Sequence, residues 1–451
     1  MENLRAKIIE ALIRVEEGSY STLLLDSILT KIEDKRDKSL FTEIYYGVIR
    51  NKLYLDYIIN YFSNTPIKKM DKEVLTGLRI GTYQLLFLDK VPARAAIYES
   101  VEGVKELLGK NRKGAVSFTN GILRAVNRDI DQVKLPDFEK NPIKYLSIKY
   151  SYPRWIINNF INQYGMEKAE KILKAGNKRA KVIYRHNVLK MSRKEFIAGL
   201  ENENIIYEKT FLDGFYRLLN IDNPAETDVF KKGGAYIQGT SAGLASLLLG
   251  VEKEMEVLDL AAAPGGKTTH MAELMKNRGV IKALDINQSR LNLVKENAER
   301  LGVSNIVLIN ADAANYEDNN KYDRILADLP CSGLGLISAK PEIKWEKDEA
   351  AVDAMAQLQF KILSNNLAKL KSGGKMLYST CTLSREENQK LVERLISENN
   401  DIILEDLNIK FKKITGLDIN NKGKCLEILP GFIDSEGFFY ALFKKTESEL
   451  I

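Results

Sequence analysis

Two cysteines are the residues of this chain best placed to do chemistry. Cys331 lies in the segment Asp328-Leu-Pro-Cys331-Ser-Gly and Cys381 lies in Tyr378-Ser-Thr-Cys381-Thr, and each segment follows a short apolar run. If the two runs are parallel strands, both thiols and the Asp328 carboxylate face one crevice at the carboxyl edge of the sheet. A thiolate there would be a strong nucleophile. The alternative for Cys331 is a buried small apolar residue, and the third cysteine, Cys425, is interpreted as structural.

A turn rich in small residues precedes this region. Apolar residues from Val257 lead into Ala261-Ala262-Ala263-Pro264-Gly265-Gly266-Lys267, where a helix is expected to begin. Glycines let a ligand lie against the backbone, and N–H groups at a helix start favour electron-rich ligand groups. The pattern is neither G-x-G-x-x-G nor a phosphate-binding Walker loop. A turn needed only for packing is the alternative, but the density of small residues favours a cofactor that contains a nucleoside.

Acidic residues at the next two strand ends extend this prediction. Asp285 could accept hydrogen bonds from ribose hydroxyls, Arg290 follows five residues later near the same crevice, and Asp312 could accept one from an adenine amino group. Each acid could instead cap a helix. Together they predict a site for an adenosine-containing cofactor. A dinucleotide and S-adenosylmethionine both fit, and the missing G-x-G-x-x-G favours S-adenosylmethionine.

A methyl donor beside a thiol nucleophile predicts methylation of cytosine at carbon 5. That carbon is too weak a nucleophile to accept a methyl group directly, but addition of a thiolate at carbon 6 makes it enamine-like. Because a free thiol has a pKa of about 8.5, the site must favour the thiolate. Asp328 would hydrogen-bond to the ring nitrogen and the exocyclic amine, and the base must leave its stack to reach the site.

The elements that would position these residues alternate between strands and helices from about residue 235. This alternation predicts an α/β domain over residues 235–451, with a Rossmann-like, doubly wound and mostly parallel sheet. Residues 1–141 carry apolar residues at helical spacing, which predicts an all-α bundle. Residues 142–234 are predicted to be a linker and a small α+β module. The strands predicted around the site are Glu256–Leu260, Val280–Asp285, Asn305–Asn310, Tyr322–Asp328, Lys375–Ser379 and Phe438–Phe443.

Charge and composition narrow the class of partner. The 451 residues carry a net charge of +6, distributed as +5 in residues 1–150, +5 in residues 151–235 and −4 in residues 236–451. This asymmetry favours a polyanion bound outside the cysteine-containing part, although solvated helix faces would give the same counts. A basic cluster contributes to it, formed by Lys168, Lys171, Lys174, Lys178, Arg179, Lys181 and Arg185.

Other features of the composition bear on location and metals. No apolar run approaches the roughly 18 residues of a membrane span, and three cysteines suit a reducing cytoplasm. His186 and His270 are the only histidines, so we expect neither a zinc site nor histidine base catalysis. The predicted protein is cytoplasmic, monomeric and free of metal and membrane partners.

The motifs resemble those of the Sun/Fmu family of RNA cytosine-5 methyltransferases over about residues 238–443. This resemblance implies that Cys381 is the nucleophile and that Cys331 assists release of the methylated base. It also implies that Ala261 to Lys267, Asp285, Asp312 and Asp328 line the S-adenosylmethionine site, and that Lys267 reaches the target base. The blocks that carry the resemblance are Ala262-Ala-Pro-Gly-Gly-Lys267, Asp328-x-Pro-Cys331-Ser-Gly, Pro341-Glu-Ile-Lys-Trp345, Tyr378-Ser-Thr-Cys381-Thr, Glu386-Glu-Asn388 and Gly437-Phe-Phe-Tyr-Ala.

The N-terminal part resembles the RNA-binding NusB fold. The similar segments are Tyr45-Tyr-Gly-Val-Ile-Arg50, Leu78-Arg-Ile-Gly81 and Asn120-Gly-Ile-Leu-Arg124. Fusion of such a bundle to a Sun/Fmu-like domain implies methylation of 16S rRNA, either free or partly assembled into the small subunit. Two alternatives stay open: the same reaction on tRNA or another rRNA, and a non-catalytic NusB-like RNA-binding or transcription factor.

Overall fold

The computed structural model describes residues 3–109, 111–221, 223–419, 421 and 423–446. The chain divides into two compact units, Met1–Leu173 and Lys174–Ile451. This division lies at neither of the domain boundaries predicted near residues 141 and 234, and those boundaries stay predictions. Within the described residues, no helix is both long and apolar enough to cross a membrane.

The first unit is built from helices. The all-α character predicted for residues 1–141 is confirmed, whereas the helix Pro142–Tyr150 replaces a predicted linker. Asn3 caps the first helix by accepting hydrogen bonds from the backbone of Arg5 and Ala6, as expected for a helix N-terminus. The helices are α1 (Leu4–Glu16), α2 (Ser21–Leu29), α3 (Lys35–Phe62), α4 (Lys72–Phe87), α5 (Ala93–Leu108), α6 (Lys113–Asp129), α7 (Pro142–Tyr150), α8 (Arg154–Tyr164) and α9 (Met166–Gly176), which extends past the division.

The second unit begins with a small antiparallel sheet in the order β2-β3-β1-β4. Its edge strand β4 pairs with β1 through Tyr184 and Ile237, so three residues that we assigned to the predicted α/β domain belong to the small sheet. β4 was missed because three residues are too few to show an alternating pattern. The elements are β1 (Val182–His186), α10 (Arg193–Asn202), β2 (Tyr207–Lys209), β3 (Phe215–Leu218), α11 (Asp228–Lys231) and β4 (Ala235–Ile237).

A larger sheet follows, in the order β10-β12-β9-β8-β5-β6-β7 with β11 paired to β12. β9, β8, β5, β6 and β7 run parallel, whereas β12 is antiparallel to β9. The predicted doubly wound α/β fold is therefore confirmed. The elements are α12 (Thr240–Leu249), β5 (Glu256–Asp259), α13 (Gly266–Leu274), β6 (Val280–Asp285), α14 (Gln288–Leu301), β7 (Ile306–Asn310), β8 (Tyr322–Asp328), α15 (Ile343–Glu346), α16 (Glu349–Leu367), β9 (Leu370–Thr380), α17 (Gln389–Glu398), β10 (Ile402–Glu405), α18 (Leu407–Thr415), β11 (Leu426–Ile428) and β12 (Phe438–Lys445).

Helices cover both faces of the larger sheet. Val257 belongs to one buried apolar cluster and its neighbour Leu258 belongs to another, because successive side chains of a strand point to opposite faces. Both faces are buried, which explains why the central strands are continuous apolar runs. The polar residues Asp259 and Asp328 appear only where β5 and β8 end, so the packing of the sheet places them together at its carboxyl edge.

Candidate active site

The two predicted thiols meet at the ends of neighbouring elements. Cys331 follows β8 and Cys381 follows β9, and their sulfur atoms are 3.2 Å apart. The hydrogen bond with Cys381, together with burial, raises the pKa of the Cys331 thiol well above its ordinary value. This raised pKa favours the protonated form of Cys331, and either sulfur can be the donor in the shared hydrogen bond. The assignment of Cys381 as the nucleophile stays a prediction.

A buried carboxyl group holds the loop that carries Cys331. Glu387 accepts hydrogen bonds from the backbone N–H of Ser332 at 2.9 Å and from the amide of Gln359 at 2.9 Å. Gln359 also donates to the carbonyl of Pro330 at 2.7 Å, and the hydroxyls of Ser332 and Thr382 are 2.6 Å apart. These bonds tie the loop after β8 to the loop after β9. Burial raises the pKa of Glu387, and the sequence analysis had not assigned this residue a role.

An ion pair lies beside the thiols. The ammonium group of Lys267 is 2.5 Å from one carboxylate oxygen of Asp328, and the hydroxyl of Ser379 donates to the other at 2.7 Å. Burial opposes the charge on Lys267, but the attraction of Asp328 outweighs it and raises the pKa of the lysine. Cys381 adds to the same effect. The structure thus brings together the four predicted catalytic residues, Cys331, Cys381, Asp328 and Lys267.

The small-residue turn lines a cavity of about 230 Å³. Gly265 lies at the back of the turn, where its φ of 102° requires glycine and its N–H donates to the carbonyl of Ala262 at 2.8 Å. A Cβ on Gly266 would lie 3.0 Å from the ring of Tyr236, so glycine allows the two elements to approach. The residues that line the cavity are Tyr236, Ile237, Gln238, Gly239, Ala242, Asp259, Ala261, Ala262, Ala263, Pro264, Gly266, Lys267 and Asp328.

Asp259 is a cavity residue that the sequence analysis did not select. Burial raises its pKa to about 7, although its carboxyl group accepts a hydrogen bond from the Thr268 hydroxyl at 2.7 Å. It lies at the end of β5, as Asp328 lies at the end of β8. Its position after an apolar run was the signal that could have identified it.

The three residues predicted to bind ribose and adenine do not line the cavity, and two of them contact the turn. Asp285 accepts a hydrogen bond from the N–H of Ala263 at 3.3 Å. Arg290 donates to the carbonyl of Ala263 at 2.9 Å and lies 3.7 Å from Asp285. Asp312 accepts a hydrogen bond from the N–H of Ala314 at 2.9 Å within a turn, and the next element is β8, so it does not cap a helix. Their roles toward a cofactor stay predictions.

The described residues contain no group of three or more His, Cys, Asp or Glu side chains that could hold a metal ion. His270 is buried, and burial lowers its pKa well below the ordinary value. His186 bonds to the carbonyl of Met191 at 2.8 Å. Both histidines are accounted for by packing in their own surroundings.

Three family descriptions match successive parts of the chain. Residues 246–444 match "16S rRNA methyltransferase RsmB/F", residues 2–128 match the NusB family, and residues 152–214 match the ferredoxin-like domain of RsmF/B-like methyltransferases. The resemblance inferred from the motifs, including the NusB-like N-terminal part, is confirmed.

Curated relatives match over nearly the whole chain. The "Probable ribosomal RNA small subunit methyltransferase B" of Bacillus subtilis is 36% identical, over 98% of this chain and 99% of that protein. The ribosomal RNA small subunit methyltransferase B of Proteus mirabilis is 32% identical over the same shares.

Solved structures agree with this fold. The crystal structure of PH0851 has a TM-score of 0.81 at 26% identity and covers 98% of each chain. A methyltransferase homolog protein from Pyrococcus horikoshii has a TM-score of 0.59 at 28% identity, over 68% of this chain and 99% of its own. With the matches over the whole chain, these findings show that the chain belongs to the ribosomal RNA small subunit methyltransferase B family.

Proposed function

We propose that this chain is a cytoplasmic enzyme that methylates carbon 5 of a specific cytosine in 16S rRNA, with S-adenosylmethionine as the methyl donor. Family membership supports rRNA as the substrate class. The observation that carries the cytosine-5 chemistry is the pair of sulfurs 3.2 Å apart beside the Lys267–Asp328 ion pair. Covalent activation of a pyrimidine needs one thiolate, and the second thiol is placed to assist its departure, whereas direct methylation of an amino group or a hydroxyl needs neither.

The cavity beside the small-residue turn fits the methyl donor. Ala262, Ala263 and Gly266 leave room for a ligand against the backbone, and the start of α13 supplies N–H groups that have no partner within the helix. When bound, S-adenosylmethionine supplies an electrophilic methyl group. We assign the adenosine end to the side of the turn that carries Asp285, Arg290 and Asp312, and the methyl group to the side that carries Lys267 and Asp328.

The chain's own residues would activate the base. The Cys381 thiolate forms a bond to carbon 6, which moves electron density to carbon 5. Lys267 donates a hydrogen bond to the carbonyl oxygen of the base, which gains negative charge, and Asp328 accepts one from the exocyclic amine. Once carbon 5 carries the methyl group, its proton is lost to solvent, the sulfur–carbon 6 bond breaks and the electron pair returns to Cys381. The Cys331 thiol, 3.2 Å away, hydrogen-bonds to the departing sulfur.

Methyl transfer to 16S rRNA from cells that lack the enzyme tests this proposal. We expect Cys381→Ala to lose activity at least a thousandfold, because it removes the nucleophile. Cys425→Ala is the matched control, since Cys425 packs against the apolar cluster on the other side of the sheet. Bisulfite sequencing of the product locates the methyl group.

Three outcomes would count against the proposal. Full activity of Cys381→Ala would remove the covalent mechanism. Methylation of tRNA but not of 16S rRNA would favour the alternative substrate. Failure of the wild-type chain to bind S-adenosylmethionine would favour a non-catalytic RNA-binding protein.

A further inference from the structure

Gln238 presents a hydrogen-bond donor to the cavity. The side chain follows β4, is 6% exposed and lines the cavity. Its amide oxygen accepts a hydrogen bond from Arg185 at 2.5 Å. Because a guanidinium group has donors and no acceptor, the amide oxygen must face Arg185 and the NH₂ group must face the other way. That NH₂ nitrogen lies 3.3 Å from the position of a Cβ on Gly266, and no group in the described part of the chain accepts a hydrogen bond from it.

Arg185 is fixed in place by partners on α13. Its guanidinium donates to the carbonyl of Gly266 at 2.6 Å, to the hydroxyl of Thr269 at 3.1 Å and to Glu273 at 2.6 Å. The side chains of Arg185 and Glu273 are 1% and 3% exposed. The sequence analysis placed Arg185 in a surface basic cluster, which is wrong, because it is buried and its charge is balanced by Glu273. Arg185 therefore holds Gln238 in one orientation relative to the start of α13.

The start of α13 favours a negatively charged group. Its first residue is Gly266, and the N–H groups of a first helical turn lack intrahelical partners and attract anions. Lys267 is paired with Asp328 at 2.5 Å, so the donors left for a ligand at this end of the cavity are backbone N–H groups and the Gln238 amide. These neutral, fixed donors match a carboxylate.

We propose that Gln238 binds the carboxylate of the methionine portion of S-adenosylmethionine, and that Arg185 is the positioning residue that keeps the amide in its donating orientation. This inference rests on the proposed function, because it names the cofactor. By this proposal, the small sheet supplies residues to the cofactor site, since β1 contains Arg185 and Gln238 directly follows β4.

Calorimetric titration of the full-length chain with two ligands tests the proposal. S-adenosylhomocysteine carries the amino acid portion, and 5′-methylthioadenosine lacks it. We expect Gln238→Glu to weaken binding of S-adenosylhomocysteine roughly tenfold or more, because a carboxylate replaces the donor. This variant retains the acceptor for Arg185, so the fold is preserved. Binding of methylthioadenosine should not change, and Gln357→Leu on the exposed face of α16 serves as the control.

A second pair of variants tests the role of Arg185. Arg185→Lys keeps a positive charge next to Glu273 but cannot reach Gln238, Gly266 and Thr269 at once. We expect a higher KM for S-adenosylmethionine with kcat preserved at saturation. Addition of Arg185→Lys to Gln238→Leu should cause little further loss, because both changes remove the same contact.

The outcomes separate the two proposals. The inference is overturned if Gln238→Glu lowers the affinity for both ligands equally or changes neither affinity. It is also overturned if the variant raises only the KM for RNA, because Gln238 then does not bind the carboxylate. If the wild-type chain binds neither ligand, the proposed function fails instead.

Discussion

The protonation of two side chains at the site is decided by burial and by their neighbours. The hydrogen bond with Cys381, together with burial, raises the pKa of Cys331, and burial raises that of Asp259 to about 7. The protonated form of Cys331 is therefore favoured, and Asp259 loses its proton near neutral pH. Lys267 and Asp328 form an ion pair at the same site.

The pH dependence of stability tests the state of Asp259. Its pKa in the folded chain is about 7, against an ordinary value of 3.8. Between these values the folded state binds more protons than the unfolded state, so this group's contribution to stability is present below about pH 4 and is lost as the pH rises through 7. We expect Asp259→Asn to remove this loss and to stabilise the chain at pH 8 by about 1–3 kcal/mol relative to wild type.

The measurement is the thermal unfolding midpoint of both chains at pH 5, 6, 7 and 8. The difference between variant and wild type should grow with pH and level off above 7. A difference that is constant across this range would mean that Asp259 ionises normally. Asn keeps the acceptor for the Thr268 hydroxyl, so the variant changes the charge without deleting the hydrogen bond.

At the scale of elements, contact between the loops after β8 and β9 sets the distance between the thiols. The N–H of Gly335 donates to the carbonyl of Cys381 at 2.9 Å, and the carbonyl of Gly335 accepts a hydrogen bond from the N–H of Gly437 at 3.0 Å. A Cβ on Gly335 would lie 2.3 Å from the carbonyl oxygen of Gly437 and 2.8 Å from that of Cys381. The backbone itself must move to admit a side chain there.

We therefore expect Gly335→Ala to separate the two loops and to lower kcat at least tenfold, while the bulk of the fold is retained. Gly121→Ala is the control, because a Cβ at Gly121 meets nothing within 4 Å and alanine is favoured within a helix. Steady-state kinetics and circular dichroism are the measurements. Wild-type kcat in Gly335→Ala would show that this close approach does not position the thiols.

Sequence patterns predicted the strands that lie in the core of the larger sheet. β6 has the predicted bounds, Val280–Asp285, because its apolar residues are buried within the sheet. The pattern could not reveal β4, whose three residues pair with a strand about fifty positions earlier. The burial of Arg185 could not be predicted for a similar reason, because its partner Glu273 is 88 residues away in the sequence. In addition, a basic residue near other basic residues is typical of a protein surface.

In the candidate site, too, some residues could be predicted from the sequence and others could not. The thiols and Asp328 could be selected because they follow strands of one parallel sheet, and such ends share an edge. Lys267 was selected from the resemblance of its motif to the family. Asp312 could not be distinguished from a helix-capping residue, but the structure places it in a turn, where it accepts a hydrogen bond from the N–H of Ala314. Glu387 was missed because its function depends on contacts made across two loops.

At the scale of the whole molecule, net charge differs between the part of the chain before residue 236 and the part that follows. Residues 1–235 carry most of the positive charge, and residues 236–451 carry a net charge of −4. Binding of a polyanionic substrate should therefore depend on salt concentration far more than binding of the cofactor does. We expect the KM for 16S rRNA to rise at least about fivefold between 50 and 200 mM KCl, because phosphate contacts release counterions.

Titration of S-adenosylhomocysteine at the same salt concentrations is the control, and its affinity should change less than twofold. A KM for RNA that is independent of salt would contradict an electrostatic role for the basic part of the chain. Equal salt dependence of both ligands would indicate a general effect on the fold.

The sulfur that bonds to the base is identified most directly by mass spectrometry of a trapped complex. We expect Cys331→Ala, incubated with 16S rRNA and S-adenosylmethionine, to accumulate a complex that survives denaturation, because release of the methylated base is slowed. After nuclease and protease digestion, the modified peptide should carry methylated cytidine on Cys381. Absence of any adduct, or an adduct on another residue, would contradict the account.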